Sequence, residues 1–284
     1  VVGGRGFVGG HLCERLITAG AEVTSYDLID GQDARDQMAL FAAMRGHDTV
    51  FHLASNPDIA AGATHPEIDF YNGTAITSNV VEAARLCDVQ TIVYMSGSGV
   101  YKSSGTTPLS EYEGCLEPSS PYGASKLAGE ALVSAYCHMF GMRGIALRPA
   151  NIVGPRQTHG VGYDFINRLQ EDPDYLTVLG DGQQQKSYIH VDDLVDAVLT
   201  AYTYRYCPFS AYNVATQDTL FVWEIAHLAA EILGITPKIE YTGGKAWVGD
   251  IPVVLLNTDK IRSLGWNNKR TSYEAMRHAL ESMV

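Results

Sequence analysis

Several things are scarce or missing in this 284-residue chain. No apolar run reaches the ~18 residues that cross a bilayer, and no basic, apolar leader opens the sequence. Membrane spanning and secretion are therefore not expected. Cysteine is sparse: Cys13, Cys87, Cys115, Cys137 and Cys207 are odd in number, and no two have metal or redox spacing. This excludes a disulfide framework and a thiolate metal site, and implies reduced core thiols in a cytoplasmic protein. Positive charge is short as well. There are 20 Lys and Arg against 32 Asp and Glu, a net charge of −12, which argues against a nucleic-acid partner. No repeat or low-complexity linker divides the chain.

Glycine, by contrast, is placed with purpose at the start. Val1-Val2-Gly3-Gly4-Arg5-Gly6-Phe7-Val8-Gly9 reads as a strand end, a glycine turn and a helix start, with glycines at Gly3, Gly6 and Gly9. A pyrophosphate needs helix N-terminal N–H groups and no side chain in the way, which glycine provides. The strand expected at Ala21–Tyr26 ends at Asp27. An acid there accepts hydrogen bonds from the adenosine ribose and repels a 2′-phosphate. Together these point to NAD rather than NADP. The first strand is very short, so a few further residues are expected before Val1.

Only five residues separate Asp27 from Asp33, too few for a parallel crossover. One helix and an edge strand of the usual doubly wound sheet are therefore expected to be absent. Asp33 and Ala34 would lie near the adenine. A helix follows at Gln37–Arg45, then a buried strand at Thr49–Ala54. Leu53, Ala54 and Ser55 at its carboxyl end should face the cofactor, as ligands sit at such ends. A long helix is expected from Glu67 to Cys87 and a strand from Gln90 to Ser96. Another helix runs from Tyr122 to Phe140, capped by Ser119 or Ser120, with Pro121 in its first turn. The strand Gly144–Arg148 leads to Pro149. Beyond it, helices are expected at Asp164–Gln170, Leu194–Tyr204 and Val222–Leu233, the last capped by Thr219. Strands are expected at Thr177–Leu179 and Ala211–Ala215, and Trp266 reads as core.

The chemistry centres on Tyr122 and Lys126. Four residues apart, they stack on one helix face. A free phenol titrates near ~10; a nearby ammonium and a cationic nicotinamide both favour the phenolate. Tyr122 is then able to take a proton from a sugar hydroxyl while Lys126 holds the nicotinamide ribose.

With these residues in place, the chain resembles the extended short-chain dehydrogenases, and within them nucleotide-sugar epimerases of the UDP-galactose 4-epimerase type. The resemblance rests on the glycine motif, Tyr122-x-x-x-Lys126, Leu147-Arg148-Pro149-Ala150-Asn151-Ile152-Val153-Gly154-Pro155-Arg156, Tyr188-Ile189-His190-Val191-Asp192-Asp193-Leu194 and Leu264-Gly265-Trp266. It implies an α/β fold: a Rossmann-type doubly wound parallel sheet, shortened after the second strand, with a smaller interwoven α/β substrate domain. Residues 1–150 and about 188–216 would bind NAD, and 151–187 with 217–284 the nucleotide-sugar. It implies retained NAD, a transient 4-keto sugar, a UDP-sugar substrate and a homodimer through the two long helices.

Three departures from that pattern matter. The position of a Ser or Thr that relays the sugar proton is Gly97, flanked by Ser96 and Ser98 as candidate replacements. A phosphate-binding arginine is replaced by Lys186, a point charge without the bidentate fork. A second arginine position falls on Trp247, near Lys245 and Asp250. Asn151 matches a position that contacts the substrate diphosphate. The carboxylates that related dehydratases and decarboxylases carry have no counterpart in Gly97-Ser98-Gly99. An arginine expected of a uronate epimerase is Thr158, followed by His159. UDP-sugar C4 epimerisation is the leading expectation, with UDP-glucuronate epimerisation, a nucleotide-sugar dehydrogenase or reductase, and a non-catalytic nucleotide-sugar binder as alternatives.

Overall fold

The structure is a computed structural model describing residues 1–56, 60–102, 105, 107–112, 116–204, 208–244 and 253–284. Lys245, Trp247 and Asp250 lie outside the described residues, as do Cys115, Cys207 and the tail of the first cofactor-facing loop at Pro57 and Asp58.

The chain begins with α1 (Phe7–Thr18), α2 (Gln37–Met44) and β1 (Thr49–His52). Next come α3 (Glu67–Asp69), a π-helical turn (Phe70–Ala75), α4 (Ile76–Leu86) and β2 (Thr91–Met95). Then follow α5 (Pro121–Phe140), β3 (Arg143–Pro149), β4 (Asn151–Val153), α6 (Val161–Glu171) and β5 (Tyr175–Val178). β6 (Gln185–Lys186), β7 (Tyr188–His190), α7 (Val191–Thr203) and β8 (Phe209–Val214) lead onward. β9 (Leu220–Phe221), α8 (Val222–Leu233), β10 (Lys238–Tyr241), β11 (Val253–Val254), α9 (Asp259–Arg262) and α10 (Ser272–Glu281) finish the chain.

The central sheet is parallel, ordered β1-β2-β3-β8. Val2 extends it by parallel bridges to His52 on one side and Tyr26 on the other. The first two expected strands are thus reduced to single bridges, and no further strand lies beyond Tyr26 among the described residues. The short link explains this. Leu28–Asp30 forms one 3-10 turn, closed by Gly31 in the left-handed region at φ 75°. Chain order reverses at Val2, so the crevice for a ligand opens there, at the strands' carboxyl ends.

Adjacent strand residues feed opposite cores, as the pleat requires. Val50, Ile92, Tyr94 and Ala146 pack with Leu40, Val80, Val81 and Val133 beneath α2, α4 and α5. Phe51, Val93, Ile145 and Leu147 pack with Leu12, Leu194 and Val198 beneath α1 and α7. Trp266 belongs to this second core, 2% exposed, and its indole donates to the Asp193 carbonyl at 2.9 Å. A third core joins α6, α8 and α10 around β5.

Several expected element ends shift. α1 starts at Phe7 because Gly6 is its N-cap. The helix expected from Glu67 to Cys87 is interrupted by the π-helical turn, where a Cβ on Gly73 would lie 2.6 Å from Ser125 Oγ. The missing side chain lets this turn press against α5. Ser120 caps α5 by accepting from the Gly123 N–H at 3.1 Å. Thr219 does not cap α8: its hydroxyl accepts from Gln185 Nε2, and Glu224 instead accepts from the Phe221 N–H at 2.8 Å.

Candidate active site

The glycine turn forms a cradle that side chains would fill. Gly3 has φ 84°, and a Cβ on it would fall 2.6 Å from the Ala54 nitrogen. A Cβ on Gly9 would lie 2.0 Å from the Gly3 carbonyl oxygen. Only glycine allows α1 to start this close to the turn. No side chain caps the helix, so its first-turn N–H groups, from Phe7, Val8 and Gly9, are oriented to bind an anion. Leu53 and Ala54 donate their N–H groups to the Val2 carbonyl at 2.8 and 3.0 Å, fixing the loop after β1 against this turn. Pro149 ends β3 at the same edge of the sheet.

Asp27 stands beside the cradle. Its Oδ2 accepts from the Arg5 N–H at 2.9 Å and its Oδ1 from the Ile29 N–H at 3.0 Å. Each oxygen keeps a lone pair for a ribose hydroxyl. Asp33 is differently engaged. The Arg35 guanidinium grips its carboxylate from Nε and from a terminal nitrogen at 2.7 Å, and holds it below the usual carboxylate range. Its neighbour Ala34 is buried.

α5 carries Tyr122 and Lys126 on its first turns. Lys126 is 2% exposed and donates to the Met95 carbonyl at 2.8 Å. Its ammonium lies 5.4 Å from the Tyr122 ring centre and 5.5 Å from that of Tyr94. Burial pulls the ammonium down to about 8, and the negative charge of Asp69 pulls the other way. Burial pushes the Tyr122 phenol up to about 12; the Ser55 hydroxyl offsets part of this, and Asp69 adds to it. Desolvation of the phenolate thus dominates the phenol in the protein alone, before a cationic nicotinamide adds its charge.

Behind the pair, His52 is fully buried, its Nε2 2.9 Å from Thr77 Oγ1. Burial, helped by Lys126, drops this imidazole to about 3. The tail of β2 is locked to α5 by backbone contact: a Cβ on Gly123 would fall 2.2 Å from the Gly99 carbonyl oxygen.

The relay candidates separate. The Ser96 hydroxyl donates to Glu130, whose carboxylate takes Arg148 at 2.9 and 2.6 Å. Arg148 in turn donates to the Tyr101 hydroxyl at 2.6 Å, and Tyr101 to Asn213 at 2.8 Å. Ser96 is therefore a member of a buried hydrogen-bond network, turned toward α5 by strand alternation. Gly97 has extended backbone, and a Cβ there would meet nothing within 4 Å. Ser98 is half-buried, and its hydroxyl has no partner among the described residues.

Among the expected substrate contacts, Asn151 is exposed and donates to the Ser187 carbonyl at 3.3 Å. Lys186 lies on β6, one residue before that same Ser187. Exposed Thr158 lies 3.4 Å from the His159 ring. Missed by the sequence reading are Asp69 and Glu130. Both are acids with no motif around them; the only sequence signal was a carboxylate inside an otherwise apolar helical face.

A sequence profile described as the NAD dependent epimerase/dehydratase family matches residues 1–215. The chain belongs to this family. Compared with a crystal structure of a UDP-galactose 4-epimerase, this family member has a TM-score of 0.90 and 37% identity, covering 99% of this chain and 97% of that one. It is similar to the Thermus thermophilus UDP-glucose 4-epimerase complex with NAD, at TM-score 0.88 and 27% identity over 99% and 97% of the two chains. It is also 28% identical to the probable GDP-L-fucose synthase 1 of Oryza sativa subsp. japonica, over 95% of this chain and 86% of that protein. The family's cofactor is NAD, and the residues present fit it: Gly3 and Gly9 leave no room for a Cβ, and Asp27 sets a carboxylate beside the turn. No helix among the described residues is long and apolar enough to cross a membrane.

Proposed function

We propose that this member of the family epimerises a UDP-sugar at C4 through a 4-keto intermediate. The observation that carries the reading is the pair of half-buried Tyr122 and buried Lys126 on α5, with no carboxylate on the β2 tail packed against it. Removal of water from a sugar needs an acid and a base beside the hydroxyl that leaves. The tail Gly97-Ser98-Gly99 offers one hydroxyl and two glycines. Epimerisation needs only one group that takes and returns a proton.

NAD, when bound, supplies the hydride acceptor and donor and a positive charge. Tyr122 accepts the proton of the C4 hydroxyl and later returns it. Lys126 holds the nicotinamide ribose and keeps the phenol in a cationic field. Gly3, Gly6 and Gly9 hold the pyrophosphate, with Asp27 on the adenosine ribose and Ala34 near the adenine. Gly97, Ser98, Tyr122, Asn151, Lys186 and Thr158 are the described residues assigned to the substrate; Lys245, Trp247 and Asp250 complete that assignment from sequence. UDP is favoured over GDP by the 37% identity to the UDP-galactose 4-epimerase, against 28% to the probable GDP-L-fucose synthase 1. A homodimer through α4 and α5 is supported by exposed Leu86, Met139 and Phe140 on those helices, at 52%, 78% and 43% exposure.

The test is proton NMR of the purified protein with UDP-glucose, UDP-N-acetylglucosamine and UDP-glucuronate in turn, without added NAD. Conversion of one sugar into its C4 epimer is the expected result. Sugar turnover only with stoichiometric cofactor reduction would replace this reading with a dehydrogenase.

A further inference from the structure

Asp69 ends α3 and is 1% exposed. Its Oδ1 accepts from Asn56 Nδ2 at 2.9 Å. Its Oδ2 is buried without a hydrogen-bond partner among the described residues. Gly62 lies against that oxygen, since a Cβ there would come within 2.7 Å of it. A carboxylate so far desolvated is unfavourable unless a positive charge lies nearby.

Lys126 poses the reciprocal problem: its buried ammonium has one neutral carbonyl as hydrogen-bond partner among the described residues. Glu130, one turn further along α5, is taken by Arg148 and Ser96. The other groups facing Lys126 are the Tyr122 and Tyr94 rings and His52, which burial keeps neutral. Asp69 is the acid whose charge acts on both Lys126 and Tyr122. Two contacts bring it there. Asn56, its hydrogen-bond partner, adjoins Ser55 at the Tyr122 phenol. The π-helical turn that follows Asp69 presses Gly73 onto Ser125, the neighbour of Lys126.

We propose that Asp69 is the buried counter-charge of Lys126, a positioning residue that keeps the ammonium charged beside Tyr122. The inference rests on Tyr122 and Lys126 being the reacting pair. The same anion opposes the phenolate, so it sets both limbs of the pH response. It weakens Tyr122 as an acid while extending the range over which Lys126 stays a cation.

Asp69→Asn keeps the shape and the Asn56 contact but removes the charge. In the NAD-loaded protein, the tyrosinate of Tyr122 is titrated by ultraviolet difference absorbance, with Tyr122→Phe as the blank, and kcat is measured against pH. Both the tyrosinate midpoint and the alkaline limb of kcat are expected to move down by about one pH unit. Unmoved midpoints with a uniform loss of kcat and a lower Tm would show a structural role and overturn the proposal. If Asp69→Asn folds poorly, Asp69→Asn/Lys126→Met removes both charges and is expected to regain Tm over Asp69→Asn; no regain overturns it too. A moved tyrosinate midpoint in a protein that converts no UDP-sugar would keep the charge pair and reject the epimerase. Conversion by the native protein, with neither midpoint moved in the variant, would do the opposite.

Discussion

The Ser96 hydroxyl donates to the Glu130 carboxylate, so the serine beside the expected relay position is bound into the core. Ser96→Ala leaves part of a buried carboxylate unpaired. It is expected to lose about 1–3 kcal/mol of stability in denaturant titration while kcat stays within a factor of two or so of native. A loss of kcat without a loss of stability would restore Ser96 as a relay.

Gly97 is the complementary case. Its extended backbone suits any residue, and its Cβ position is open. Gly97→Ser is expected to fold with a Tm equal to or above native, since glycine in extended chain is unfavourable by roughly 0.5–1 kcal/mol. If the added hydroxyl relays the sugar proton, kcat rises by about tenfold, a modest share of what positioned proton transfer contributes. A lower Tm would mean that the space at Gly97 is smaller than the geometry gives.

Tyr122→Phe is expected to lower kcat by about 10²–10⁴-fold with NAD still bound, as judged by the cofactor released on denaturation. In the native protein kcat should fall near pH 8 as Lys126 loses its proton. Activity that survives in Tyr122→Phe sinks the mechanism.

Gly9→Ala places a methyl 2.0 Å from the Gly3 carbonyl oxygen. The turn must open, so loss of NAD is expected together with a lower Tm. Retained cofactor in the purified variant would show that the cradle does not hold the pyrophosphate.

Stability should also fall in acid through His52, whose burial lowers it to about 3 from an ordinary value of 6.5. Between those values the unfolded chain binds a proton that the native chain refuses. Stability is therefore complete above about pH 6.5 and drains as pH falls toward 3, with a slope of about 1.4 kcal/mol per pH unit from this group. In His52→Leu the unfolding free energy should vary less with pH over that window, and an unchanged slope would assign the acid response elsewhere.

The glycine turn, Asp27, the Tyr122-x-x-x-Lys126 helix and the missing crossover after Asp27 were legible in the sequence, because each is local. Glycine spacing, a four-residue helical offset and a loop too short for a crossover act within one or two turns of chain. Tertiary structure decided what distance along the chain conceals. Ser96 and Glu130 are 34 residues apart and meet only because β2 packs on α5. The π-helical turn that follows Asp69 packs on α5 only because Gly73 has no side chain to meet Ser125. The direction of the Tyr122 shift was decided the same way, since desolvation depends on everything packed around the phenol, and a motif carries only its nearest charge.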